Sequence, residues 1–464
     1  MMHGMDFSSA VTFLASLNAP QISQGAIYGF SAGIERTRRL IRLLGVAQEP
    51  GCVITVTGSK GKGSTSCMLA AILAASGYKV GLFTGPHLYD YRERIQVCGE
   101  MISQEQFVGY VERIKHLIDT DAINSALLKV PTTFECLTAM AVSLFYENEV
   151  NFSVLEVGIG GRLDAVNAVD ADLAVFTSIS LEHTETLGHT VEAIATEKAG
   201  IVRPHTVAVS VVQPQAAMQA IQRDCQQKKT RLVCVEEEWM VGSIQSSIEA
   251  SRVGQTFSLT KKAGPLGAGN LDASFSNPQE LFIPLLGEHQ VTNATLAVAT
   301  VNCLPLADKP VTPESVRRGL SNVRWPGRLE IVGRNPITVV DGAHNPDSAH
   351  KLMRSLKATF QYDRLIVVIG IVYSKDIRGI LEQVAPYAST LVVVGFAHRR
   401  AAAPQDILSA LESIAFEGQV VSFAALADGL RFALDQAASG DLVCATGSLY
   451  VAARARETFL QVFR

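Results

Sequence analysis

The sequence predicts an α/β protein in two unequal parts: an N-terminal domain built around a parallel sheet and carrying a phosphate loop, and a smaller C-terminal α/β domain. Three observations carry this. A β-branched run, Val53-Ile54-Thr55-Val56-Thr57, leads through a glycine-rich turn into an apolar helix from Ser66 to Ser76, the order that opens a three-layer α/β domain. Strand and helix patterns then alternate along most of the chain. A Pro-Gly breaker beside one of only two tryptophans, Trp325-Pro326-Gly327, separates this rhythm from a second one. The expected division is therefore residues 1–324, a linker at 325–328 and residues 329–464.

The first 50 residues read as short helices around an Ala-Pro and a Gly-Phe turn. The stretch Ile34 to Leu44 is amphipathic, and its arginines fit either a solvated helix face or a site. After the first strand, Tyr78 to Phe83 resumes as a strand, followed by strands at Phe152 to Val157, Leu173 to Ile179, Thr206 to Val211 and Arg231 to Val235. Helices are expected over Ser103–Ile118, Thr133–Glu147, Thr190–Ala199 and Pro214–Lys228. Short alternating pieces at Thr256–Leu259 and Leu281–Leu285 suggest a small antiparallel addition, and helices return at Thr292–Cys303 and Pro313–Leu320. Beyond the breaker, strands fall near Ile337–Val340, Arg364–Ile369, Thr390–Val394, Val420–Phe423 and Leu442–Ala445, with helices between them.

Composition narrows the function. Hydrophobic residues are 48% of 464 and charged residues 18%, which supports full cores and excludes a largely disordered chain. A net charge of -4 gives no general attraction to nucleic acid or an anionic membrane, although a local cationic pocket can still hold phosphates. Met1–Pro20 lacks lysine, arginine and a sustained apolar core, so no secretory signal is expected. The apolar stretch between Lys62 and Lys79 is too short to span a bilayer. Eight cysteines without a CxxC pair read as reduced, mostly buried thiols of a cytoplasmic protein.

The sharpest feature is Thr57-Gly58-Ser59-Lys60-Gly61-Lys62-Gly63-Ser64-Thr65. Glycines at 58, 61 and 63 let backbone N–H groups turn toward anionic oxygens, and the helix that follows adds its positive end. Lys62 can reach the β/γ-phosphates of a nucleotide, and Ser64 or Thr65 can offer a hydroxyl to Mg²⁺. The generic phosphate-loop formula is missed, because Val56 and Gly63 stand where it wants Gly and Ser/Thr. The absence of an Asn-Lys-x-Asp guanine reader favours ATP.

Other groups sit at predicted strand ends, where α/β folds place ligands. Glu156 closes its strand and is placed to hold Mg²⁺; without a metal it is an edge carboxylate. His183 reads as a ligand or as a structural or surface histidine. Lys198 shares a helix face with Val191 and Ile194. It is either a rim lysine or a desolvated one with a lowered pKa, open to acid–base work or covalent modification. Asp341 and His344, in Asp341-Gly342-Ala343-His344-Asn345-Pro346, either meet a ligand or cap a turn.

Together the phosphate loop, Pro86-His87-Leu88, Leu155-Glu156-Val157-Gly158-Ile159-Gly160-Gly161-Arg162-Leu163-Asp164, Glu182-His183-Thr184, Glu197-Lys198-Ala199-Gly200, Gly287-Glu288-His289, Trp325-Pro326-Gly327-Arg328 and Asp341–Pro346 resemble the folylpolyglutamate and dihydrofolate synthases. These are Mur-type amide ligases. The resemblance implies a P-loop ATPase domain of Mur-ligase type joined to a Rossmann-like C-terminal domain, with the active site between them. It implies that Lys62 binds ATP phosphates, and that Ser64, Glu156 and His183 hold one or two Mg²⁺ ions. It further implies carbamylation of Lys198 by CO₂, and nucleotide contacts from Asn293, Arg328, Asp341 and His344. The implied substrates are folate or dihydropteroate and L-glutamate, used by a monomer.

Three positions depart from the family pattern: Ser59-Lys60 replaces Thr-Asn, Gly85 replaces the serine before Pro86, and Ser374 replaces the first aspartate of Asp-Lys-Asp. The Lys60 change puts an extra cation near the phosphates. Two alternatives remain: another Mur-type amino-acid ligase, or an ATP-binding regulator without activity. A ligase of peptidoglycan nucleotides is opposed by the short segment before the phosphate loop.

Overall fold

The computed structural model describes residues 5–17, 27–120, 122, 130–249, 251–262, 271, 273–305 and 310–463. The chain forms two compact units. The first comprises Met1–Ser243, Phe257–Phe282 and Thr292–Val323; the second comprises Ile244–Thr256, Ile283–Val291 and Arg324–Arg464.

The first unit is organised by an eight-stranded sheet made of β1 (Cys52–Thr57), β2 (Val80–Phe83), β3 (Ile95–Val97), β4 (Glu100–Met101), β5 (Phe152–Glu156), β6 (Leu173–Phe176), β7 (Val207–Ser210) and β8 (Arg231–Cys234). Their order is β4-β3-β2-β5-β1-β6-β7-β8. All are parallel except the β2–β3 and β3–β4 pairs. β1 is wholly apolar or β-branched after Cys52 because both its faces are covered. It pairs with β5 on one side and β6 on the other, with Val56 opposite Glu156 and Thr57 opposite Phe176. The carboxyl ends of three strands therefore meet where chain order reverses, the crevice in which such sheets bind ligands.

The helix Lys62–Ala75 follows β1 and buries Met68, Leu69, Ile72 and Leu73 completely. Its all-round apolar character, read from the sequence, matches its place between sheet and neighbouring helices. The expected Gly-Phe turn is not a turn: Gly29 and Phe30 lie in the helix Ile27–Leu43. The Ala-Pro turn falls outside the described residues. Nor is the arginine face of that helix wholly solvated. Arg36 is buried and forked onto Glu135, with Nε donating to Oε2 at 2.8 Å and Nη2 to Oε1 at 2.7 Å.

A separate three-stranded sheet, ordered β11-β10-β9, contains β9 (Trp239–Glu249), β10 (Arg252–Lys261) and β11 (Gln279–Ile283). It is larger than the short pieces expected. β9 escapes sequence detection because most of it is exposed, so no apolar alternation marks it.

The second unit holds β12 (Glu330–Arg334), β13 (Ile337–Val340), β14 (Leu365–Ile369), β15 (Thr390–Val394), β16 (Gln419–Phe423) and β17 (Leu442–Thr446). The order is β12-β13-β17-β14-β15-β16, with only β12 antiparallel. Two apolar clusters cover the two faces of this sheet, one around Val339, Val367 and Val393, the other around Val340, Val368 and Val392. Residues 244–256 and 283–291 join this unit through specific bonds. Arg334 Nη1 donates to Ile248 O at 2.7 Å, and Gln255 Nε2 donates to Leu285 O at 2.8 Å.

The eight cysteines are free; Cys136, Cys225 and Cys444 are buried, Cys98 is exposed and the rest are half-buried, so burial is less general than expected. Among the described residues no helix is long and apolar enough to cross a membrane.

Candidate active site

The loop after β1 is built around two left-handed glycines. Gly58 has φ +144°, and a Cβ there would come within 1.9 Å of Thr177 Oγ1. Gly61 has φ +92° and starts the helix Lys62–Ala75; a Cβ there would meet Asn293 Oδ1 at 2.3 Å. Only glycine fits either position. The second contact also brings Asn293, predicted as a nucleotide-contacting residue, against the loop.

Backbone pairing fixes the middle of the loop. Ser59 N and Lys60 N both donate to Ser178 O, at 2.8 and 3.1 Å. The Ser59 hydroxyl donates to Ser180 O at 2.9 Å and accepts from Ser180 N at 3.0 Å. Thr57 Oγ1 reaches the following glycine turn, donating to Gly160 O at 2.7 Å. Gly63 and Ser64 lie in the first helical turn. Thr65 is completely buried, and its hydroxyl has no hydrogen-bond partner among the described residues.

Two lysines converge on one loop carbonyl. Lys62 Nζ donates to Gly58 O at 3.1 Å, and Lys198 Nζ donates to the same oxygen at 2.9 Å. Lys198 is 1% exposed, on the helix Val191–Ala199, so it is the desolvated lysine and not the rim one. Its second acceptor is Glu182 Oε1 at 3.0 Å. Glu182 Oε2 in turn faces Lys60 Nζ at 3.6 Å.

These contacts set the charge states. Burial drives the Lys198 ammonium pKa down to about 8 against the pull of Glu182, with Lys62 adding repulsion. Burial alone would raise Glu182, but Lys62, Lys198 and Lys60 hold it down at about 2. Asp164 is pushed up to about 6 by burial, against the amides of Ile159, Val166 and Gly158 and the charge of Lys62.

Glu156 ends β5 buried, and its Oε2 accepts from Gly85 N at 2.9 Å. His183 is exposed, takes a left-handed φ of +47°, and starts the single turn Thr184–Leu187. Among the described residues, no three His, Cys, Asp or Glu side chains are grouped to cage a metal. Two participants had no assigned role in the sequence reading: Glu182, hidden beside His183, and Asp164 in the glycine-rich run.

In the second unit, Asp341 follows β13 and caps backbone amides, accepting from Leu329 N at 2.8 Å and Ala343 N at 2.7 Å. Burial raises its pKa, opposed by the charge of Arg328. Arg328 and Asp341 are thus neighbours there, and a Cβ on Gly342 would lie 3.3 Å from Arg328 Nη1. His344 Nδ1 sits 2.8 Å from Gly342 O, so this ring nitrogen carries a hydrogen and donates it.

The chain matches the Mur ligase middle domain over residues 56–301 and the Mur ligase, glutamate ligase domain over residues 327–449. The dihydrofolate synthase/folylpolyglutamate synthase of Bacillus subtilis is 30% identical over 429 residues, 91% of this chain and 94% of that protein. A probable bifunctional folylpolyglutamate synthase/dihydropteroate synthase of Halobacterium salinarum is 33% identical over 461 residues, 99% of this chain. This chain spans about half the length of that archaeal relative, 52%. Mycobacterium tuberculosis folylpolyglutamate synthase complexed with ADP has a TM-score of 0.84 at 29% identity, covering 98% of both chains. E. coli FolC in complex with DHPP and ADP has a TM-score of 0.79 at 30% identity, covering 98% of this chain and 97% of that one. With both domain types in order and the Bacillus subtilis relative matched nearly end to end, the chain belongs to the folylpolyglutamate synthase/dihydrofolate synthase family of Mur ligases.

Proposed function

We propose that this chain is an ATP-dependent amide ligase that joins L-glutamate to dihydropteroate or to a tetrahydrofolate, releasing ADP and phosphate. The observation that carries this reading is the glycine loop with Lys62 and Lys198 converging on Gly58 O, beside Glu156 at the next strand end. The ADP complexes of its relatives, one of which also holds DHPP, support the same choice of nucleotide and acceptor.

A carboxylate is a poor electrophile. In the proposed reaction its oxygen takes the γ-phosphoryl group from ATP, giving an acyl phosphate and ADP. The glutamate amine then attacks the acyl carbon, loses a proton, and phosphate departs. Negative charge spreads over the phosphoryl oxygens in the first step, so Lys62 and the loop amides contribute mainly by electrostatic stabilisation.

The residues fit Mg²⁺ as a partner of the nucleotide. Glu156 is a buried carboxylate, Ser64 supplies a hydroxyl, and the Thr65 hydroxyl, without a hydrogen-bond partner among the described residues, is a further oxygen at the same helix start. A hard cation held by one carboxylate, hydroxyls and phosphates needs no full protein cage. Bound Mg²⁺ would supply charge neutralisation and orientation of the phosphates, as one ion or two, and His183 is proposed as a further ligand.

Lys198 is the proposed carbamylation site. Burial favours its neutral amine, the form whose nitrogen attacks CO₂ and then releases a proton, replacing a cation by an anion. The ion pair to Glu182 opposes this change and must open for it. Arg328, Asp341 and His344 are proposed as ligand contacts of the second unit.

The test is ADP release with glutamate and either dihydropteroate or tetrahydrofolate, each omitted in turn. Release that requires both substrates supports the ligase and identifies the acceptor. Slow hydrolysis indifferent to both contradicts it and favours an ATP-binding regulator.

A further inference from the structure

Arg328, proposed above as a ligand contact, stands between two residues with left-handed backbone, Gly327 at φ +73° and Leu329 at φ +44°. For a leucine this conformation is costly and persists only where the surroundings over-determine it. Leu329 is buried in the core of the second unit, and its amide donates to Asp341 Oδ2 at 2.8 Å. On the other side of Arg328, the Gly327 carbonyl accepts from Gly342 N at 3.0 Å, and the Gly327 amide donates to Glu330 Oε2 at 2.8 Å. The backbone is thus pinned immediately before and immediately after the arginine.

Glu330 opens β12, and both its oxygens accept from Arg456 Nε, at 2.9 and 2.8 Å. Arg456 comes from the helix Leu449–Val462, 126 residues further on. The two side chains are 26% and 25% exposed, so the pair contributes little as a salt bridge. Its effect is directional. A glutamate with open rotamers would lose that freedom on folding back to Gly327, and the bond from the helix has already removed it. We infer that Glu330 is a positioning residue for Arg328: held by Arg456, it locks the Gly327 amide and so aims the arginine at an anionic group of the nucleotide. The inference rests on the reading of Arg328 as a nucleotide contact and adds a residue to it. Without the Glu330 bond, the strained backbone at 327–329 relaxes toward ordinary values and the guanidinium loses its aim.

The experiment is a double-mutant cycle on binding of ATP with Mg²⁺, read by calorimetry on the full chain. The chains are the parent, Glu330→Ala, Arg328→Ala and the double variant, with Glu330→Gln as the conservative change. Glu330→Ala should weaken ATP by about tenfold in the parent and by less than about twofold when Arg328 is already alanine, since no side chain is left to aim. Glu330→Gln keeps an acceptor for Gly327 N and should stay within about threefold of the parent. Equal loss in both backgrounds, no loss in the parent, or a Gln variant as weak as the Ala variant overturns the inference. Should Glu330→Ala not fold, Glu330→Asp keeps the charge for Arg456 and shortens the reach to Gly327. Its expected loss is about threefold in the parent and none beside Arg328→Ala, and equal losses again overturn the proposal. An Arg328→Ala chain that binds ATP as the parent does removes the nucleotide reading of Arg328 and this inference with it. A weakened Arg328→Ala chain with an additive Glu330→Ala removes only the inference.

Discussion

Lys198 Nζ lies 3.0 Å from Glu182 Oε1, both side chains almost wholly withdrawn from solvent, on opposite sides of the left-handed turn at His183. This pair ties the helix Val191–Ala199 to the segment that braces the phosphate loop. Its charge state bears on stability as well as on chemistry.

Glu182 is held at about 2 against an ordinary 4.5. A carboxylate whose folded pKa is depressed contributes fully above its unfolded value and loses that contribution as pH falls through the folded one. The unmutated chain should therefore lose stability between pH 4.5 and 2 more steeply than Glu182→Gln, measured as urea midpoints along that range. Parallel slopes would mean that the carboxylate is not held down.

Arg36 and Glu135 form a forked, buried pair, whereas Arg42 and Glu35 on the same helix form an exposed one. Removing one partner of a buried pair strands the other charge, so Arg36→Met should cost about 3–5 kcal/mol. Arg42→Ala should cost about 1 kcal/mol or less. Denaturant titration of both variants checks the contrast.

Gly58→Ala places a methyl group 1.9 Å from Thr177 Oγ1 and forces alanine into the left-handed region. Both strands flanking the site must shift. The expected result is loss of nucleotide binding with a stability cost of about 2 kcal/mol or more, read from thermal melts and ATP titration.

Lys62→Ala should leave the melting temperature nearly unchanged, because the side chain is half-buried, its hydrogen bond is to a carbonyl that Lys198 also serves, and its loss removes repulsion on Lys198 along with attraction to Glu182. Turnover should fall by at least about a hundredfold, as expected for removing a positioned charge from phosphoryl transfer. Near-normal turnover would contradict the role given to this lysine.

The legible parts of the molecule are those written in local pattern. The strand at Val53–Thr57, the glycine loop and the apolar helix announce themselves within 24 residues, and the structure keeps their order, with the helix starting at Lys62 and not at Ser66. What stayed hidden depends on distant partners. Arg36 finds Glu135 across 99 residues, so nothing near Arg36 distinguishes it from a solvated arginine. Glu182 meets Lys198 only because the chain reverses at His183. β12 begins three residues after Gly327 of the Pro-Gly breaker and forms an antiparallel edge with a bulge, leaving no clean alternation to detect.

The most direct test of the account follows oxygen. When the acceptor carboxylate carries ¹⁸O, transfer of the γ-phosphoryl group to that carboxylate puts one labelled oxygen into each phosphate released. The account predicts this labelling, dependent on glutamate and in step with ADP formation. Phosphate that carries no label while the amide product accumulates would contradict it.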